Sequence, residues 1–458
     1  MRSRCLLALI GASAVCAFAA QNAAAVPFHH EFPGHFGAAP PTTAQCEADF
    51  GIACYGPIQY EKAYDMNPLY RAGLTGAGKT IVIVDSFGSP TIKNDLNTFD
   101  AAYGLPGPPS FNVITPDGPV NQNDPDAPGW GVETSLDVEY AHAMAPGANL
   151  LLVETPVAET EGTTGMPEIV EAENFVINHH LGDVITQSFG ATEETFPSAR
   201  SIEQLRSAYF NALVHHVSVL ASSGDAGPTD ETAAPDGEDF YPFRVNSWPS
   251  ADPLVTSVGG TQLHLDPSGI RLAADNAWND PPSICTAPCA AGGGDSAVFS
   301  RPFYQDRVAN VTGRMRGTPD ISMSAAVDGG ANVFWSFPGA GPAGWNVIGG
   351  TSEASPLFSG VVAVADQAAG HDLGLLNPAL YDHGDNSGRG SSADGVVDVT
   401  RGNTTVTFEN PAGDPFPGTH TVQGFNADRG YDLATGLGTA DGTQLVAELA
   451  GRSGFKRH

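Results

Sequence analysis

The chain has 458 residues, with 51 Asp and Glu against 20 Lys and Arg, a formal charge of −31 at pH 7 and a pI near 4.5. A surface of that sign excludes nucleic acid and anionic membranes as partners, because either would meet like charge. In acid many of those carboxylates lose their charge, so the self-repulsion present at pH 7 is relieved.

Arg2 and Arg4 precede an apolar run from Cys5 to Ala20, and small residues follow through Ala25. Residues 1–25 therefore read as a cleaved signal peptide. No later apolar stretch of about 20 residues could serve as an anchor, so a secreted or periplasmic protein is expected. Cys5 and Cys16 leave with the signal. The other four cysteines form two local pairs, Cys46/Cys54 and Cys285/Cys289, compatible with two short disulfides in an oxidising compartment. A metal site is disfavoured, since Cys-x-x-Cys spacing and nearby histidines are missing. Residues 26–54 are rich in Pro, Ala, Gly and His, and read as a loosely ordered extension.

From Thr80 onward apolar, β-rich runs (Thr80–Asp85, Asn149–Val153, Val184–Ser188, Ser218–Ser222 and Leu254–Val258) alternate with helical stretches. The helical stretches include Thr91–Tyr103, Val132–Ala145, Glu168–His180 and Ile202–His215. Continuous apolar strands between helices predict an α/β domain with a mostly parallel sheet covered on both faces. Within the run Gly131–Pro146, stopped by its proline, Glu133 and Asp137 stand at i and i+4 and share a face. Two like charges there oppose the helix unless they share a proton. Glu139 lies off that face and reads as solvated. Ser222-Ser223-Gly224-Asp225-Ala226-Gly227 follows a strand, where α/β folds place ligands. The Gly- and Pro-rich stretch Asp266–Pro302 reads as a long surface excursion. Gly349-Gly350-Thr351-Ser352 then opens an apolar helical run, Leu357–Ala368. Alone, Gly-Thr-Ser is an ordinary helix cap. A serine there is also exposed beside the free N–H groups of a helix start, as a nucleophile requires.

These segments, taken together, resemble the sedolisins, the serine-carboxyl peptidases related to subtilisin. The resemblance runs from about Tyr55 to Ala450. It includes Thr80-Ile81-Val82-Ile83-Val84-Asp85, Glu133-x-x-Leu136-Asp137, Ser222-Ser223-Gly224-Asp225-x-Gly227 and Val258-Gly259-Gly260-Thr261. Further on come Gly292-Gly293-Gly294-Asp295-Ser296, Pro319-Asp320, Gly350-Thr351-Ser352, Asp398-Val399-Thr400 and Asp432-Leu433-Ala434-Thr435-Gly436-Leu437-Gly438.

The resemblance implies a subtilisin-like α/β fold, a single peptidase domain over residues 55–452 and a short tail at 453–458. It implies Ser352 as nucleophile, Glu133 as base, Asp137 orienting Glu133, and a protonated Asp225 at the oxyanion. Of the thirteen histidines none begins the His-Gly-Thr helix start of the subtilisins, so a histidine base is poorly supported and the resemblance implies a carboxylate one. A carboxylate base and a neutral Asp donor coexist only in acid, so activity is expected between about pH 3 and 5. Asp85, at the position of the subtilisin triad Asp, is accessory or structural. Asp398-Val399 and Asp428–Asp432 resemble the family's calcium loop. One structural Ca2+ would be held by the Asp398 and Asp432 carboxylates and by the carbonyl oxygens of Val399, Asp428 and Gly430.

Most sedolisins carry a large prodomain, and the roughly 30 residues between the signal and Tyr55 are too few for one. The leading expectation is a secreted, monomeric acid endopeptidase acting on proteins or peptides through an acyl-enzyme. The alternatives are a tripeptidyl exopeptidase of the same chemistry and a non-catalytic peptide binder.

Overall fold

The computed structural model describes residues 30–31, 36–37, 39–234, 239–285, 288–383 and 395–451. The expected signal peptide and the tail at 453–458 lie outside them. Alternation along the strands decides the architecture. In the strand Thr80–Ser86, Ile81 and Ile83 enter one apolar core while Val82 and Val84 enter another. Leu150 and Leu152 against Leu151 and Val153 do the same on Asn149–Thr155. A strand apolar on both faces is stable only with helices on both sides, and these strands are covered in that way. Helices Ala127–Met144 and Thr351–Ala369 contribute to the first core, and Met166–Asn178 and Ser207–His215 to the second.

Among the described residues the main sheet has ten strands. Its order is Val396–Val397, Thr439–Ala440, Ile321–Ser324, Thr256–Gln262, Ser218–Ser222, Val184–Gln187, Thr80–Ser86, Asn149–Thr155 and Phe111–Ile114, with Asn276–Ala277 paired to Thr256–Gln262. The pairings from Thr439–Ala440 through to Phe111–Ile114 are parallel. The chain therefore has the expected subtilisin-like α/β fold, a single large domain with a mixed sheet.

A second sheet orders His30–Glu31, Gly344–Gly349, Gly330–Trp335 and Cys54–Tyr55. It delivers the chain into the helix Thr351–Ala369. Gly349 has to be glycine here, because an added Cβ would sit 2.6 Å from the Ala325 carbonyl oxygen and the Val327 nitrogen. Gly350, at φ 134°, makes the turn that a side chain would strain.

Three expectations are corrected. Residues 43–54 are ordered: a helix spans Thr43–Phe50, and Cys46 bonds Cys54 in a buried cluster with Ile52 and Val347. The expected surface excursion is a surface loop only in part. Leu272 is 71% exposed, yet Trp278, Ala290 and Ala291 are buried, and Gly292 N–H donates to the Gly224 carbonyl at 2.7 Å. Glu139 is buried, and its carboxylate accepts from the Phe334 N–H at 3.1 Å. The Cys285–Cys289 disulfide forms as expected. Among the described residues no helix is long and apolar enough to cross a membrane.

Candidate active site

The helix Ala127–Met144 begins a turn before the expected start and ends just before Ala145 and Pro146. It packs directly on the helix Thr351–Ala369. Gly360 makes this approach possible, since a Cβ there would lie 2.4 Å from the Met144 Cβ. The two helices bring the predicted residues to the carboxyl end of the sheet. Glu133, Asp137 and Ser352 are fully buried, and Asp225 is 5% exposed.

The carboxylates form a cluster of three. Asp137 lies beside Glu133, and Asp85 at the end of its strand joins them. Burial holds the Asp137 carboxyl well above the usual carboxylate range, with the charges of Glu133 and Asp85 adding to it. Burial does the same to Asp85, followed by the charge of Glu133. Carboxyl groups this close cannot all ionise, so they share protons. Asp85, read from sequence as accessory, is therefore part of the carboxylate cluster.

Ser188 connects this cluster to the serine. Its hydroxyl donates to Asp137 Oδ1 at 2.8 Å, and the Ser352 hydroxyl donates to the Ser188 carbonyl at 3.3 Å. The sequence reading ended a strand at Ser188 and gave it no role; its only signal was its place at the carboxyl end of that strand.

Asp225 reaches the same helix start from the other side. Its Oδ1 accepts the Thr351 N–H and the Thr351 hydroxyl, both at 2.7 Å. The Thr351 hydroxyl also accepts the Gly224 N–H at 3.1 Å. Asp225 is thus tied to the residue before Ser352. Its other oxygen lies 3.9 Å from His30 Nε2, because the strand His30–Glu31 pairs antiparallel with Gly344–Gly349 and sets His30 opposite Gly349. The presumed extension therefore reaches the site.

Glu353 was also missed. It is fully buried, and burial pushes its carboxyl up to about 8, opposed by the polar groups of Tyr60, Ser324 and Ala331 around it. It lies where the helix Thr351–Ala369 faces Ala331 of the second sheet.

Four of the predicted calcium residues, Asp398, Asp428, Gly430 and Asp432, meet on one loop. Gly430 N–H donates to Asp398 Oδ2 at 3.0 Å and Asp428 N–H to Asp432 Oδ2 at 2.8 Å, so both carboxylates hold the same loop. Among the described residues, no protein donor lies on the carbonyl oxygens of Val399, Asp428 and Gly430. Two carboxylates and three open carbonyls suit a hard cation.

The family model described as the subtilase family matches residues 120–379, more than half of the chain. That span holds Glu133, Asp137, Asp225 and Ser352. The chain belongs to the subtilase family, in its sedolisin branch. The chain is 30% identical to kumamolisin of Bacillus sp. (strain MN-32), over 86% of its own length and 63% of the relative's. It is 28% identical to tripeptidyl-peptidase 1 of Homo sapiens, over 70% of its own length and 52% of the relative's. It therefore spans between about half and two thirds of those relatives. The solved structure of Pseudomonas sedolisin, a serine-carboxyl proteinase complexed with pseudo-iodotyrostatin, matches with a TM-score of 0.68 at 27% identity, covering 87% of this chain and 99% of that one.

Proposed function

We propose that the chain is a secreted serine-carboxyl endopeptidase that hydrolyses peptide bonds in acid. One observation carries the reading: a proton-sharing carboxylate cluster meets a helix-start serine through Ser188. Ser352 Oγ attacks the peptide carbonyl while its proton passes to Glu133. Asp137 orients Glu133 and shares that proton. With Asp225 Oδ1 occupied by the two Thr351 donors, a proton on Oδ2 lets Asp225 donate to the tetrahedral oxyanion. One such donor lowers the barrier by about 3 kcal/mol. Collapse breaks the C–N bond, and the amine leaves with the proton from Glu133. Water then attacks the acyl-enzyme by the reverse transfers, releasing the acid and restoring Ser352. Export rests on the Arg2, Arg4 and apolar pattern of the first 25 residues.

The test is a pH–rate profile on denatured casein or haemoglobin from pH 2 to 9, with Ser352→Ala as control. An optimum near pH 3–5 that disappears in the control is expected. Activity rising toward alkaline pH, or full activity in Ser352→Ala, would refute the assignment. Tripeptide release is the second reading, supported by the tripeptidyl-peptidases among the relatives. Mass analysis of products from free and blocked peptides separates the two.

The same reading places one Ca2+ on Asp398, Asp432 and the carbonyls of Val399, Asp428 and Gly430. Bound there, the ion would neutralise the buried Asp432 carboxylate and the half-buried Asp398 one and tie the C-terminal loops down, adding stability by linkage. Chelator should lower the melting temperature by several degrees, and added Ca2+ should restore it; an unmoved melting curve would remove the ion from the scheme.

A further inference from the structure

Two neighbouring helices, Met166–Asn178 and Ser207–His215, stop side by side, and each runs out in a pair of histidines, His179-His180 and His215-His216. A ladder of polar side chains sets their register. Asn174 donates to the Ser207 hydroxyl at 3.0 Å, and Asn211 donates to the side-chain oxygens of Asn174 and Asn178, both at 3.0 Å. Residues 174 and 178 on one helix, and 207, 211 and 215 on the other, stand one turn apart. The helices therefore run parallel. The rung after Asn178 is the meeting of His215 with His180, whose ring centres lie 5.5 Å apart.

This rung suits a metal ion in charge, in tautomer and in spacing. Both helices end here, so their last carbonyl groups and the negative ends of two dipoles come to one place, where a cation is stabilised. His215 Nδ1 lies 3.0 Å from the Asn211 carbonyl, so in the neutral ring Nδ1 carries the proton and donates, and Nε2 keeps the lone pair. Metal-binding histidines are oriented by this kind of second bond. The ring of His180 has no hydrogen-bonding partner among the described residues, so either of its nitrogens can bind. Two imidazoles that share one tetrahedral ion, at metal–nitrogen distances of about 2.0–2.1 Å, have ring centres about 5 Å apart. The observed 5.5 Å, with the ring planes 57° apart, is close to that. His180 also makes the left-handed turn that closes its helix, at φ 52°, where glycine is the usual residue.

Among the described residues no third His, Cys, Asp or Glu brings a ligand atom within 4.8 Å of both rings. His179 stays on its own helix, its ring stacked on Phe175 with centroids 4.1 Å apart and its Nδ1 donating to the Phe175 carbonyl at 2.8 Å. Two imidazoles with water in the remaining positions suit borderline ions that prefer nitrogen. They do not suit Ca2+, which requires a shell of oxygens.

We propose that His180 and His215 bind one divalent transition-metal ion, of the class of Cu2+, Ni2+ and Zn2+, which clamps the ends of the two helices together. The site lies apart from the reacting groups. His180 precedes the strand Val184–Gln187 and His216 the strand Ser218–Ser222, whereas Ser188 and Asp225 follow those strands at their other ends. The ion therefore acts on the fold and not on the peptidase chemistry.

The experiment titrates the untagged chain with Cu2+, Ni2+ and Zn2+ by calorimetry at about pH 7.5, where imidazole is neutral. Ca2+ is present throughout, so that oxygen sites are filled. One equivalent should bind, Cu2+ more tightly than Ni2+ or Zn2+, and Ni2+ should raise the melting temperature by a few degrees. His180→Asn and His215→Gln should each weaken that equivalent at least tenfold and abolish the melting shift. The double variant should do no more than either single one, and His420→Gln should change nothing. Electron paramagnetic resonance of the Cu2+ form should show two imidazole nitrogens, falling to one in either single variant. No binding, a melting shift that survives in either folded variant, an equal loss in His420→Gln, or a spectrum without two nitrogens would overturn the proposal.

Discussion

At the residue scale the chemistry depends on how protons are divided among buried carboxyl groups. Ser188 makes this testable. Its hydroxyl favours the ionised form of Asp137 and so opposes the upward push of burial. Ser188→Ala removes that donor, and the Asp137 carboxyl should rise further. The acid limb of the pH–rate profile should then move to higher pH, with kcat falling about tenfold, within the range expected for a lost proton-transfer partner. A variant with lower kcat but an unmoved acid limb would make Ser188 only a spacer.

At the element scale the site is an agreement between two helices. Glu133 and Asp137 ride on one and Ser352 on the other, and Gly360 sets their separation. Gly360→Ala places a Cβ 2.4 Å from the Met144 Cβ and 2.9 Å from its carbonyl carbon. The backbone must move, and such overpacking costs about 1–3 kcal/mol. The melting temperature should fall by several degrees, and kcat should fall with it because the helices carry the proposed reacting groups. Normal melting and normal turnover would show that the helices slide freely past each other. The helices themselves were legible from sequence, because a buried strand declares itself by an apolar run and Pro146 marks a stop. Glu139 was not legible: its burial depends on an N–H of Phe334, far along the chain, and helical spacing is blind to that. The ordered segment at 43–54 was hidden for the same reason, since its cluster is completed by Val347. The proposed reacting residues rest on motif order and not on periodicity. Ser188 carries no local signature at all.

At the scale of the whole molecule the excess of acid has a thermodynamic consequence. Burial raises Glu173, Glu353 and Asp366 to about 8. Each keeps its proton in the folded state at pH values where the unfolded chain has lost it. The folded state then binds more protons than the unfolded one, so stability falls as pH rises. The window runs from the ordinary carboxyl range, near pH 4, up to about 8. Melting should therefore occur at a higher temperature at pH 4 than at pH 7, in wild type and in Ser352→Ala alike. The opposite order would mean that these groups are ionised in the fold.

The hydrogen bond between Ser352 and Ser188 joins residues 164 apart in the chain. During synthesis, with the amino end emerging first, every carboxylate of the site is made well before the serine. Contacts of such long range also form late and slowly in folding. The cutting group is thus the last part to arrive, and it comes into register only once the helices and sheet around it have closed. On the peptidase reading, a half-made chain holds no assembled cutting edge to turn upon itself.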